Sequence, residues 1–503
     1  MAGDYSVEGP TVRSGRPEHP SKEEPPSPGQ RRGSGVSRER SITVRGTGRR
    51  SEVFSGQAAT VVSMSQNKPP GPDGWPLLGN TVQYVRRPFE FREECAEKYG
   101  DVVYMEGPGQ EMYMLSHPEY VEQVLVTDHD AFTQPDDFQR RLERLLGNGL
   151  LVSEGEFWKR QRRLMQPMFK PGRIRAYADV MVEFAERKGR QWTPGETYDL
   201  NEEMKRLTLE VLLQAMFSTD IEYEETGVGS AVADIVEKFD PRAQMVPEWV
   251  PTPTNVRYKR GVRNLESLIY EMVEQRRSDD RERDDLLSRL LHAETDEGVS
   301  MSDEALRDEM MTMLLAGHKT TAVALTYTWY LLSKNPEQEA RLHEELDEVL
   351  GGDPPEFDDL SDLTYTEKVV KESMRVYPPF HAVLREPVRD VEIGGYEIPE
   401  GALVATPQWV VHRDDRWFDD PEAFRPERWT EAFESDLPDF AYFPFGGGPR
   451  RCLGSSFATT EGQLVLATIA QDYVLDVEDV PLDLSASIAT QPKNDIEMVP
   501  RER

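Results

Sequence analysis

One stretch of the chain sets the scale of its fold. From Ser302 to the pair Asn335-Pro336 the sequence predicts a single helix. Ser302 is an N-cap residue, Asp303 and Glu304 put negative charge in the first turn, and Asn335-Pro336 is a stop signal. At a rise of about 1.5 Å per residue this helix is roughly 50 Å long, enough to cross a whole domain. Its apolar part, residues 310–332, resembles a membrane span. His318 and Lys319 lie at its centre, however, and a lysine there costs about 2.5–3.5 kcal/mol in lipid. A buried central helix and no membrane association are expected instead. The middle of the helix is unusual: Gly317 weakens it, and Thr320 and Thr321 can bond back to carbonyls one turn earlier and bend it. A long buried helix opened at its midpoint implies a site there.

Around this helix the residues from Lys68 onward read as one continuous globular unit. Pro69, Pro70, Pro72 and Pro76 make a stiff entry. Helical patterns dominate to about Tyr377, residues 378–450 are irregular and rich in Pro, Gly and Trp, and residues 391–406 alternate like a hairpin turning at Gly394-Gly395. The expected class is mainly α with a small β part, in a single large domain. Residues 1–63 differ: they are rich in Ser, Gly, Pro and Arg, lack apolar periodicity and read as a disordered extension. Arg49-Arg50 is not followed by a convincing apolar segment, so a twin-arginine signal is rejected. Met64 is the expected translation start, with the domain at 64–503.

Charge excludes several function classes. Lys+Arg is 59 against Asp+Glu at 92, a formal charge of −33. That argues against a nucleic-acid binder, which must neutralise phosphates, and against docking on anionic lipid. Apolar residues at 37% still allow a real core. A soluble chain this acidic repels itself, a composition that halophiles use, so a salty cytoplasm is expected. The acidity is interrupted once. Residues 157–178 hold Lys159, Arg160, Arg162, Arg163, Lys170, Arg173 and Arg175 and no acid.

The cysteines are Cys95 and Cys452, too few for a disulfide scaffold. Cys95 lies in a helical pattern and reads as a small buried side chain. Cys452 lies in PFGGGPRRCLG, residues 444–454. Its glycines let backbone approach something closely, and Arg450 and Arg451 favour thiolate over thiol. From the residues alone the sulfur is a nucleophile or a metal ligand. The glycines match neither dinucleotide nor Walker spacing, and a zinc site has no spacing support.

This loop resembles the haem-binding loop of the cytochrome P-450 family, F-x-x-G-x-R-x-C-x-G, through Phe445, Gly448, Arg450, Cys452 and Gly454. Four further motifs follow the family's order. Trp158 and Arg162 match W-x-x-x-R. Residues 316–321 match A-G-x-(D/E)-T-T, with Lys319 in place of the acid. Glu372 and Arg375 match E-x-x-R, and residues 426–429 match P-E-R-(F/W). The resemblance covers residues 68–503.

It implies the P-450 fold, with haem b (iron protoporphyrin IX) between the central I helix and the L helix that follows the cysteine. Cys452 would be the iron's thiolate ligand, favouring O–O cleavage, with Phe445 packed near the sulfur. Arg162, Arg385 and Arg450, with Trp158 and more weakly His412, would hold the propionates. Glu372, Arg375 and Arg428 would form a buried structural ion network. Thr320 would serve the oxygen chemistry and Gly317 would leave room for the ligand. Lys319 would turn away and pair with an acid, or alternatively attract a substrate carboxylate.

The implied reaction is insertion of one oxygen atom of dioxygen into an apolar organic substrate. About fifty residues follow Cys452, with no flavin or iron–sulfur module, so electrons would come from a separate ferredoxin or flavodoxin. Lys159, Arg160 and Arg163 would receive it. A peroxide-using peroxygenase, a haem-thiolate isomerase and a non-enzymatic haem sensor or carrier are the alternatives; Thr320 in its A-G-x-x-T-T setting favours oxygen activation. Segments around 130–150, Ala316, 380–384 and 488–491 would line the substrate pocket, with Phe380, Ala382 and Val383 suiting an apolar ligand. The loop wording is also similar to fatty-acid-hydroxylating branches of the family.

Overall fold

The computed structural model describes residues 68–503 apart from 220–226, 240–242, 244–245, 279–282, 284, 293–300 and 488. The extension expected at 1–63 lies outside the described residues.

The central element forms as its end signals require. The Ser302 hydroxyl accepts from the Ala305 amide at 3.2 Å. The expected single helix is two, Asp303–Gly317 and Lys319–Lys334, meeting at His318. The break has a local cause and a partner. The Thr320 hydroxyl donates back to the Ala316 carbonyl at 3.0 Å, and the Thr208 hydroxyl donates to the His318 carbonyl at 3.0 Å. The second half is buried nearly all round, with Ala322, Val323, Leu325, Tyr327, Trp329 and Leu332 all within the core. The two halves pack on the helix Leu200–Phe217, and the second also packs on Thr364–Val376 and on Ser455–Asp472, the helix that follows Cys452. That last helix, in turn, lies along Pro171–Gln191. Its Leu464, Val465, Leu466 and Ala467 are fully buried, so a Leu→Ala change there is expected to cost about 2–5 kcal/mol.

The β part is small. A five-stranded sheet runs in the order Val102–Gly107, Gln110–Leu115, Leu403–Thr406, Val383–Pro387, Phe132–Thr133. Only the Met112↔Leu403 pairing is parallel. The hairpin expected over 391–406 is shorter than its alternation suggested. Val391–Ile393 pairs with Tyr396–Ile398 across Gly394-Gly395, whose φ values of 60° and 79° suit a tight turn. Residues 403–406 instead enter the larger sheet, because the turn at Gly401 redirects the chain. Among the described residues no helix is long and apolar enough to cross a membrane.

Candidate active site

The cysteine loop is shaped by glycine. Gly446 and Gly448 have φ of 68° and 64°, and a Cβ on Gly448 would collide with the Leu125 carbonyl. The Cys452 amide donates to the Phe445 carbonyl at 3.0 Å, closing the loop beneath the sulfur. Arg162 braces it from the helix Gly155–Met165 by donating to the Arg451 carbonyl at 2.9 Å. Cys452 is exposed to solvent but surrounded by protein, and the net effect on its thiol is upward. Desolvation outweighs the Gly454 amide and the charges of Arg162 and Arg451. Of the two arginines expected to favour the thiolate, Arg451 acts in that direction, whereas Arg450 is turned toward Ser153 and Glu154.

Three guanidiniums converge beside this loop. Arg450 lies 4.5 Å from the Trp158 ring centroid and Arg162 lies 5.7 Å from it. Arg385, on the strand Val383–Pro387, is buried, and its charge is felt together with that of Arg450. Burial and Arg450 push Arg385 down to about 10. Among the described residues Arg385 has no carboxylate partner, only the Leu384 carbonyl at 2.8 Å. Glu154 eases Arg385 only at a distance and is itself paired with Arg450, so the cluster keeps an excess of buried positive charge, which is costly and fits the two propionates of the expected haem. With Cys452 as the sulfur donor, the residues present fit that cofactor.

His412 does not join the cluster, which corrects the sequence reading. It is fully buried, and burial with Arg375 and Arg413 nearby pushes its ring well below the usual histidine range. Its Nε2 accepts from the Phe443 amide at 2.9 Å, and its carbonyl accepts from Arg375 at 2.9 Å. A neutral acceptor held this way is not a cationic partner for a propionate.

The ion network is built as expected. Arg375 reaches both Glu372 oxygens at 2.8 and 2.9 Å, and Arg428 reaches Glu372 at 2.9 Å. The Trp429 indole adds a further donor at 2.9 Å. Glu372 and Arg375 are wholly buried. Arg375 also donates to the carbonyls of His412, Pro421 and Ala423, so the network staples the helix to the irregular segment leading to the cysteine loop.

At the midpoint of the central helix, Gly317 and Lys319 both meet the helix Leu200–Phe217. A Cβ on Gly317 would stand 3.0 Å from Leu212, so its missing side chain lets the helix Leu200–Phe217 pack closely. Lys319 is buried and turned toward the helix Leu200–Phe217. Desolvation, then Lys205, pushes its amine well below the usual lysine range. Among the described residues it has no acid to itself: Glu202 eases it but is held by Lys205 at 2.6 Å. His318 is buried and neutral, pushed down to about 4 by desolvation.

Two acids escaped the sequence reading. Glu461, nine residues after Cys452, is buried, and among the described residues the nearby Thr321 hydroxyl is the one group that eases its charge. Burial holds its carboxyl well above the usual range. Glu309 is also fully buried. The available signal was an acid inside an otherwise apolar helical run. Cys95 is buried, and burial pushes its thiol up to about 11, as suits an inert core residue.

Comparison with known proteins agrees with this geometry. Residues 69–497 match the sequence profile of the Cytochrome P450 family. The chain is 38% identical to cyclooctatin synthase of Streptomyces melanosporofaciens over 79% of its own length and 88% of that protein. It is 36% identical to cyclooctat-9-en-7-ol 5-monooxygenase of the same organism, covering 80% and 88%. It is 33% identical to pentalenene oxygenase of Streptomyces avermitilis, covering 81% and 91%. Among solved structures the cytochrome P450DA heme domain superposes with a TM-score of 0.80 at 27% identity, covering 87% of this chain and 98% of that one. The sulfur in its glycine loop, the buried Glu372–Arg375 pair and these relatives together establish that the chain is an oxidoreductase belonging to the cytochrome P450 family.

Proposed function

We propose that this enzyme hydroxylates a cyclic, largely hydrocarbon substrate, using haem b ligated by Cys452 and electrons from a separate ferredoxin or flavodoxin. The observation that carries the haem assignment is the buried Arg385, hydrogen-bonded to no carboxylate among the described residues, beside Arg162 and Arg450. Bound haem supplies the oxygen chemistry: one atom of dioxygen enters a C–H bond, and the other leaves as water with two electrons and two protons.

The chain's own residues position and protonate. Arg162, Arg385, Arg450 and the Trp158 indole hold the propionates. Thr320, proposed to serve the oxygen chemistry, donates its hydroxyl proton to the Ala316 carbonyl. Lys319, packed against Leu200–Phe217, is too desolvated to present a cation to a substrate carboxylate. That supports an uncharged substrate. The names of the relatives point the same way, since they act on cyclooctat-9-en-7-ol and pentalenene-type molecules.

The pocket is proposed to be formed by the segments around 130–150, Ala316, 380–384 and 488–491, and contacts at or beside three of them support this. Phe132 pairs with Pro387, Thr490 donates to the Pro379 carbonyl at 2.8 Å, and Tyr327 of the central helix donates to the Thr490 carbonyl at 3.0 Å. Residue 488 lies outside the described residues. The electron donor is proposed to dock on the helix Gly155–Met165. Lys159 there is paired with Glu156 at 2.7 Å, and Arg175 with Asp358. Two of the seven basic residues of 157–178 are thus already paired with acids. Arg160 and Arg163 are exposed and have no carboxylate partner among the described residues, so they are the docking cations.

A ligand-induced spin-shift screen over cyclic terpenes, fatty acids and sterols tests the substrate class. Cyclic terpenes shifting the spin state at micromolar concentration is the expected result. A response confined to fatty acids would overturn it.

A further inference from the structure

The segment 147–154 joins the helix Asp136–Leu146 to Gly155–Met165 and is tied down at both ends. At its start the Asn148 amide donates to Asp308 at 2.8 Å, and the Leu150 amide donates to Glu309 Oε2 at 3.0 Å. Both acids are on the central helix. Gly147 and Gly149 make the approach possible, since a Cβ on either would collide with Asp308 or Thr312. At its far end the Ser153 carbonyl and the Glu154 carboxylate receive Arg450 of the cysteine loop. Glu154 also accepts from the Gln134 amide at 3.0 Å. One strap therefore links the central helix, the cysteine loop and the segment after Phe132–Thr133.

Glu309 is an odd fastening for it. The side chain is fully buried, and Oε1 has no hydrogen-bond partner. The groups around it supply no cation. From its own helix, Asp308 adds negative charge, and Arg307 is engaged with Asp308 and with Glu266. From Gly155–Met165, the uncharged Gln161 hydrogen-bonds the carboxyl; it and the Leu150 amide favour the anion, but desolvation outweighs both. The strap has no titratable side chain before Glu154, which is held by Arg450. From Asp136–Leu146, Glu143 and Arg144 are exposed, as are Arg289 and His292 from Leu286–His292.

We propose that Glu309 is a proton-operated latch: its neutral carboxyl holds residues 147–152 of the strap against the central helix, and its ionisation releases them. The physical reason is that a buried carboxylate beside Asp308 gains by admitting water, and the strap is bonded to it through Leu150. Burial pushes the carboxyl up to about 8 in the closed strap, against about 4.3 when open to solvent. The open form thus loses its proton first. Closure is fully favoured below about pH 4.3, opening becomes about tenfold easier per pH unit above that, and the effect levels off near pH 8.

Hydrogen exchange of the strap peptide in the full-length, haem-loaded protein between pH 5.5 and 9, corrected for intrinsic exchange, tests this. It needs neither substrate nor turnover, so it stands apart from the hydroxylation reading. In wild type, protection at 147–152 is expected to fall about tenfold per pH unit and flatten near pH 8. Glu309→Gln keeps an acceptor for Leu150 without the proton, and its profile is expected to be flat and well protected. Gly149→Ala lifts the strap sterically, giving low protection at every pH. A flat wild-type profile, or the wild-type slope surviving in Glu309→Gln or Gly149→Ala, would overturn the latch.

Discussion

The Arg450 guanidinium lies 4.5 Å from the Trp158 ring centroid, joining the cysteine loop to the helix Gly155–Met165. A cation on an aromatic face contributes about 0.5–2 kcal/mol when desolvated. Trp158→Ala is therefore expected to raise the haem dissociation constant about 3- to 30-fold, read by transfer of haem to an acceptor globin. Unchanged retention would show that the arginines are positioned without the indole.

Removing one member of the Glu372–Arg375 pair leaves a buried charge alone, at about 3–5 kcal/mol. Glu372→Gln and Arg375→Met should each lower the denaturation midpoint strongly. Arg428→Met, which leaves Glu372 bonded to Arg375 and Trp429, should cost less. Equal losses in denaturant titrations would contradict the hierarchy.

Lys319 carries a pH signature. Its amine is pushed well below the usual range by desolvation and Lys205, so the unfolded chain binds the proton more tightly. Wild type should lose stability as pH falls below about 10.4, by at most about 1.4 kcal/mol per pH unit, until the folded amine also protonates. Lys319→Met should lack that slope and be more stable at neutral pH. Parallel stability profiles for the two proteins would rule it out.

Arg160 and Arg163 are exposed, and Arg163 bonds only the Lys159 carbonyl among the described residues. Arg160→Glu/Arg163→Glu should slow reduction by an acidic ferredoxin at least tenfold in stopped flow, with an unchanged absorption spectrum. The difference should narrow as salt shortens the Debye length to about 3 Å at 1 M. Identical rates would place docking elsewhere.

These residues also show what a sequence reading can reach. Glu372, Arg375, Arg428 and the cysteine loop were legible because their partners are local or belong to a motif of fixed spacing. Gly317 was legible as a helix weakness, but not as the contact for Leu212, because that contact depends on how two helices cross. His412 looked cationic by residue type, and only burial makes it a neutral acceptor. Glu309 and Glu461 were missed because an acid in a helix reads as a solvated face until the packing around it is seen.

The central claim is that Cys452 is the thiolate ligand of a bound haem. The most direct measurement is the reduced carbon-monoxide spectrum of the folded, haem-loaded protein beside its Cys452→Ser variant. A thiolate-shifted Soret band in wild type, lost in the variant, is the expected result. An unshifted band in folded wild type, or a shifted band that survives Cys452→Ser, would contradict it.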